Sequence, residues 1–175
     1  LNECGYPYCN GKVMATTAEW RQRLQGWKAT VDGWTRTPTP DAVMRVSIFF
    51  DLRAVYGDPG LCQRLQQHML MRTQKNTIFQ AALAANVLDQ TPPLGIFRRF
   101  VVERNGEHRD EFDIKKRGVM PMVDLIRIHS LAHGVDAVNS RERLQQLMQK
   151  KVFTIVDGRN LQDAFDTIQQ LRVEN

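Results

Sequence analysis

Thr39-Pro40-Asp41-Ala42-Val43-Met44-Arg45-Val46-Ser47-Ile48-Phe49-Phe50-Asp51-Leu52-Arg53-Ala54-Val55-Tyr56-Gly57-Asp58-Pro59 is the stretch that decides the fold. Thr39 can cap a helix, and Pro40 suits the first helical position, where an N–H would have no partner anyway. A helix is predicted from Asp41 to Val55. Met44, Ile48, Leu52 and Val55 line one side of it at spacings of four, four and three, while Val43, Val46, Phe49 and Phe50 fall on other faces. A helix apolar over so wide an arc belongs at the centre of a bundle. Gly57-Asp58-Pro59 is a stop and a restart: Gly57 ends one helix, Asp58 caps the next and Pro59 opens it. So short a connection predicts antiparallel neighbours. Asp51 and Arg53 place opposite charges at the end of the apolar run, where burial is costly unless they are paired or hydrogen-bonded.

Upstream, residues 1–15 are rich in turn formers (Gly5, Pro7, Asn10, Gly11). Thr16 and Glu19 read as a capping box. Trp20, Leu24, Trp27 and Val31 then form an apolar stripe on a helix predicted to end near Gly33. Two indoles on one stripe need a wide partner surface, either a preceding domain or a second copy of the chain. The segment Thr35 to Pro40 is a linker. Downstream, Leu61, Cys62, Leu65 and Met69 define a helix, and Ile78, Phe79, Ala82 and Ala85 another over Thr77 to Leu88.

The period then changes. Phe97–Arg104 and Glu107–Ile114 flank Asn105-Gly106, a strong two-residue hairpin signal. A hairpin is predicted over residues 97–114, with Arg98 opposite Asp113 and Val101 opposite Asp110. Pro121 opens a helix that Gly134 ends near His133. Asn139 and Glu142 resemble a capping box before Leu144, Leu147 and Met148. Asn160 is a weaker cap before Leu161, Ala164, Phe165, Ile168 and Leu171. The predicted fold class is mainly α, a multi-helix bundle with one small β-hairpin.

At 175 residues the chain can bury one real core. It begins with Leu1 and reads as a piece of a longer protein. No run is long enough to span a membrane, so no membrane association is expected. A net charge of +5 is modest and spread along the chain, and there is no aromatic–basic repeat or zinc-finger spacing. No nucleic-acid partner is expected. Three cysteines argue against a disulfide framework and fit a cytoplasmic chain, and Cys4 with Cys9 is half a zinc site.

The chain carries no phosphate-cradling glycine loop with Lys and Ser or Thr, no His-Glu-x-x-His and no Gly-x-Ser-x-Gly. His129 and His133 share helical spacing without an acidic base between them. They read as a core histidine and a histidine at a helix C-terminus. Neither a catalytic residue nor a metal site is predicted. The charged residues beside apolar stripes are the candidate binding set: Asp51, Arg53, Lys115, Lys116, Asp124 and Arg127. They can be buried structural pairs, a polar or anionic ligand site, or a contact between domains.

Several ordered motifs carry a resemblance across essentially the whole chain. Cys4-Gly5-Tyr6-Pro7-Tyr8-Cys9-Asn10-Gly11, followed by Trp20, resembles the end of a bacterial nucleotidyltransferase domain. Phe50-Asp51-Leu52-Arg53-Ala54-Val55-Tyr56-Gly57, Asp113-Ile114-Lys115-Lys116-Arg117-Gly118, Pro121-Met122-Val123-Asp124-Leu125-Ile126-Arg127 and Asn139-Ser140-Arg141-Glu142-Arg143-Leu144 resemble the helical substrate-binding domain that follows it. The family is that of bacterial signal-transduction nucleotidyltransferases, similar to the uridylyltransferases that modify PII proteins. Its members often carry cyclic-nucleotide-binding and CBS domains upstream.

The resemblance implies that residues 1–34 are the tail of a nucleotidyltransferase domain and that 35–175 are the helical substrate-binding domain. The family's chemistry belongs to a Gly-Ser motif and an Asp-x-Asp pair that hold Mg²⁺ and a nucleoside triphosphate upstream. This chain has neither motif, so by itself it is expected to be inactive and without a cofactor. Lys12 stands where many relatives have glycine. The implied role is to bind or present an acceptor substrate for the upstream domain. The alternative is a structural module for interdomain packing or dimerisation. The implied partners are the upstream domain, a protein acceptor and a second copy of the chain.

Overall fold

Thr39 and Asp58 start their helices as their chemistry requires. Thr39 Oγ1 accepts the Ala42 N–H at 3.2 Å, and Asp58 Oδ1 accepts the Gly60 N–H at 2.8 Å, each with a proline in the first turn. The computed structural model describes residues 2–88 and 113–174. Among them are seven α-helices: α1 Leu24–Arg36, α2 Pro40–Phe50, α3 Pro59–Thr73, α4 Thr77–Leu88, α5 Met120–His133, α6 Ser140–Gln149 and α7 Ile155–Glu174. Short 3₁₀ turns cover Asn2–Cys4 and Ala18–Trp20, and a π-helical turn, Lys115–Val119, leads into α5.

α2 stops a turn earlier than predicted. Asp51 closes it, its backbone N–H reaching the carbonyls of Ile48 and Phe49. Leu52–Asp58 then form a loop, tied down where Gln66 Nε2 donates to the Leu52 carbonyl at 2.7 Å. The face that packs also differs from the predicted stripe. Ala42, Val43, Val46 and Phe50 are buried, whereas Met44 and Ile48 are about half exposed and Val55 is 89% exposed. A helix apolar on nearly every side offers no periodic contrast to select a face, so its neighbours select it. The main core draws Val31 from α1, Val43, Val46 and Phe50 from α2, Leu65 and Met69 from α3, Phe79 and Leu83 from α4, and Leu131 from α5.

The first helix begins at Leu24, not at Thr16. Thr17 Oγ1 donates to the Lys12 carbonyl at 2.8 Å, and Trp20 Nε1 donates to that same oxygen at 2.8 Å. Lys12 itself sits at φ 55, a left-handed conformation that glycine adopts without strain. Trp20 therefore lies on the preceding 3₁₀ turn and not on one helical stripe with Trp27. The two indoles still stack at 5.9 Å, and Phe49 and Trp34 complete the aromatic group. All four rings are half-buried, and those of Trp27, Trp34 and Phe49 pack against the main core.

A second cluster joins Ile126 of α5, Val135 and Leu147 of α6, with Phe153 packed against it. α7 starts at Ile155, before Asn160. Thr154 Oγ1 accepts the Asp157 N–H at 3.1 Å and donates to the Asp157 carboxylate at 2.7 Å. Gly158 is buried in this first turn against Met148.

The expected β-hairpin requires a correction: every regular element among the described residues is helical, with no strand among them. Residues 97–112 of the predicted hairpin, including the pairings of Arg98 and of Val101 with Asp110, lie outside the described residues. At its described end, Ile114 is helical and not extended. The cause is Asp113, whose carboxylate accepts the Lys116 N–H at 2.8 Å while its carbonyl accepts the Arg117 N–H at 2.9 Å. An aspartate placed to cap orphan N–H groups starts a helix and is disfavoured in a strand. Gly118 then brings the π turn close to α7, with Ile168 Cγ2 3.3 Å from where a Cβ would stand. No helix among the described residues is long and apolar enough to cross a membrane.

Candidate functional site

Asp51 sits where α2 ends, and two guanidinium groups converge on it. Arg127 of α5 donates from Nη2 to Asp51 Oδ2 at 2.5 Å. Arg143 of α6 donates from Nη1 to Asp51 Oδ1 at 2.7 Å. Arg127 also pairs through Nη1 with Asp124, three residues before it on α5. Arg143 is 1% exposed. It donates from Nε to the Ala137 carbonyl at 2.6 Å and from Nη2 to the Phe50 carbonyl at 3.3 Å, and its guanidinium lies 4.2 Å from the Phe50 ring centroid. Burial pulls the Arg143 pKa below its usual value, and the Asp51 carboxylate opposes that pull. Arg127 Nε is buried with no hydrogen-bond partner.

The outer side of this network opens into a groove of about 770 Å³ between α2, the end of α4 and the start of α5. Met44, Ile48 and Met120 give it apolar walls, and Asp51, Asp124 and Arg127 give it a charged floor. The half-exposed face of α2 is thus the wall of a groove.

Of the predicted set, the structure brings Asp51, Asp124 and Arg127 together. Arg53 does not join them. With α2 ending early, it falls in the 52–58 loop and lines a separate groove of about 530 Å³ with Leu24, Trp27 and Leu61. Lys115 and Lys116 are exposed on the π turn. Arg143 was missed as a site residue, although the sequence carries a signal for it. It sits four residues before Leu147 and beside Leu144, an arginine on the apolar face of a helix.

A second charged cluster also escaped the sequence reading. Between α1 and α3, Arg72 grips Asp32 with two bonds, Nε to Oδ1 at 2.5 Å and Nη2 to Oδ2 at 2.8 Å, and His68 Nε2 lies 2.7 Å from Asp32 Oδ1. The Arg72 bonds, with help from His68 and against the effect of burial, hold the Asp32 carboxyl at about 2. On α5, His129 packs edge-on to Phe153 at 4.8 Å, and burial, then the neighbouring His133, lowers its pKa. Exposed His133 places Nδ1 2.9 Å from the His129 carbonyl at the helix end. No group of three or more metal-ligating side chains occurs among the described residues.

Residues 77–175 match the family described as putative nucleotidyltransferase substrate binding domain, and residues 1–41 match the family described as putative nucleotidyltransferase DUF294. No curated protein and no solved structure matches the chain.

Proposed function

The chain belongs to the family of putative nucleotidyltransferase substrate binding domains, and from that premise we propose that it binds an acceptor and presents it to a nucleotidyltransferase domain preceding it. The groove between α2, α4 and α5 carries this reading. Its volume of about 770 Å³ is that of an ordinary ligand or side-chain site. Its walls are apolar, and its polar groups are held by partners on three helices. Such a site contributes position: it fixes the acceptor's nucleophile where a donor nucleotide is delivered.

The electrostatics narrow the acceptor. Asp51 and Asp124 balance Arg127 and Arg143, and the Arg127 fork is already occupied by carboxylates. The floor therefore does not favour a bare phosphate. It suits a neutral polar group with an apolar body, as on a protein acceptor. Lys115 and Lys116, exposed just before Met120, are the cations we assign to an anionic partner such as donor phosphates. In this reading we assign Mg²⁺ and the nucleoside triphosphate to the preceding domain. A bacterial cytoplasm, where the free thiols Cys4, Cys9 and Cys62 stay reduced, is the compartment we propose.

A structural reading rests on a separate observation, the burial of Arg143, which ties α2 to α6. The double variant Met44→Glu with Ile48→Glu separates the two, because both side chains are half exposed and their loss leaves the Asp51 network intact. In the full-length protein, with labelled nucleoside triphosphate, the acceptor KM should rise about tenfold or more, which is about 1.4 kcal/mol. The nucleotide KM and the thermal melt should hold. An unchanged acceptor KM removes the groove from the acceptor path.

A further inference from the structure

Asp41, Arg45 and Phe49 follow one another on α2 at spacings of four, so they share one stripe of the helix. Asp41 lines the groove. Arg45 and Phe49 reach instead to the 3₁₀ turn Ala18–Trp20. The Phe49 ring lies 5.3 Å from that of Trp20. Arg45 places its guanidinium 5.1 Å from the Trp20 ring centroid and donates from Nη1 to Glu19 Oε1 at 3.1 Å. Its Nε donates to Asp41 Oδ2 at 2.7 Å. One side chain thus joins a residue of the groove to the segment before α1. The restraint continues upstream: Trp20 Nε1 and Thr17 Oγ1 both hold the Lys12 carbonyl, and the Lys12 N–H donates to the Cys9 carbonyl at 2.9 Å. All of this segment lies within residues 1–41, the match to the nucleotidyltransferase family.

The core does not depend on this clasp. The buried side chains of α2 are Ala42, Val43, Val46 and Phe50, and Arg45 stands outside them. Arginine suits the place by its chemistry. A planar guanidinium covers an indole face while donating along two edges, which a lysine ammonium cannot do. We propose that Arg45 is a positioning residue: by clasping Glu19 and Trp20 to Asp41, it fixes the orientation of the groove relative to the nucleotidyltransferase domain that precedes it. The inference rests on the reading of the groove as the acceptor site. Orientation is what such a site must supply, because a displacement of about 1 Å at the reacting atoms costs about a hundredfold in rate.

Two measurements test it, on Arg45→Gln and, from the other side of the clasp, on Glu19→Gln, whose side chain is 58% exposed. Hydrogen exchange on this chain reads the clasp without any acceptor. The amides of Lys12, Thr17 and Trp20 donate to backbone carbonyls. They should exchange about tenfold faster in Arg45→Gln, while those of α3 and α5 hold. Turnover reads the positioning. The assay uses the full-length protein, labelled nucleoside triphosphate and the acceptor whose KM answers to Met44→Glu with Ile48→Glu. There Arg45→Gln should lower kcat about tenfold or more and leave both KM values alone. Arg45→Lys should recover part of that loss. The two glutamine changes together should cost less than their product, since they cut the same contact. Unchanged exchange would mean that the tail is held without Arg45, and unchanged kcat that its hold is idle. Either overturns the proposal and leaves the groove reading standing. A melt that falls in step with turnover would make Arg45 a fold-stabilising residue and overturns it equally. If the groove variant leaves every acceptor KM unchanged, the groove reading fails first and takes this one with it.

Discussion

Asp51 is a carboxylate at the C-terminal end of α2, where the helix dipole is itself negative. It is tolerated there because Arg127 and Arg143 both reach it. Asp51→Ala strands the buried Arg143 guanidinium without a carboxylate. A denaturant melt should show a loss of about 3 kcal/mol, and a loss under about 1 kcal/mol would contradict a buried clamp. Asp32 makes a prediction in pH. Its pKa is depressed from 3.8 to about 2, so its contribution is complete above pH ~4 and disappears as the pH falls through about 2. With solvent screening we expect about 1 kcal/mol. Arg72→Gln should flatten stability between pH 4 and 2 while leaving the rest of the curve parallel; an unchanged acid limb would show that Arg72 does not hold the carboxyl down. The sequence revealed Asp51, Asp124 and Arg127 because a charge beside an apolar run needs a partner. It hid Arg143, whose neighbours Arg141 and Glu142 make it look like one more charge on a solvated face.

Helix starts were legible where capping was local and unopposed, at Thr39-Pro40, Asp58-Pro59 and Asn139, whose side chain accepts the Arg141 N–H at 2.8 Å. They were not legible where a side chain had another use. The pattern at Thr16 and Glu19 starts no α-helix: the element that follows is a 3₁₀ turn with Thr17 at its cap position, and Thr17 spends its hydroxyl on the Lys12 carbonyl. α7 was placed too late for a different reason: Asn160 was taken as its cap, whereas Thr154 caps it six residues earlier, and Gly158 inside the first turn costs about 1 kcal/mol relative to alanine in intrinsic propensity. Here it is where α7 approaches α6. A Cβ at Gly158 would stand 2.5 Å from Met148 Cγ, which is not the free end of that side chain. Gly158→Ala should therefore destabilise by about 1–3 kcal/mol despite its better propensity. Adding Met148→Ala should return part of that loss in a double-mutant cycle. Strict additivity of the two changes would mean the glycine serves some other purpose.

At the scale of the whole molecule, the wide apolar arc correctly placed α2 between neighbours, and only tertiary packing could say which side faces the main core and which the groove. The family was legible in ordered motifs, while the geometry of the charged set depended on where α2 stops. That stopping point has a kinetic consequence. The partners that secure Asp51 lie 76 and 92 residues further along the chain. Loops of that length close late, after local helices have formed. The clamp should therefore be absent from the folding transition state. Asp51→Ala should refold at the native rate and unfold faster, a φ-value near zero; a slowed refolding limb would place the clamp in the nucleus instead. During synthesis, α2 must leave the ribosome with an open end and a bare carboxylate, and it acquires its last fastening only when α6 emerges.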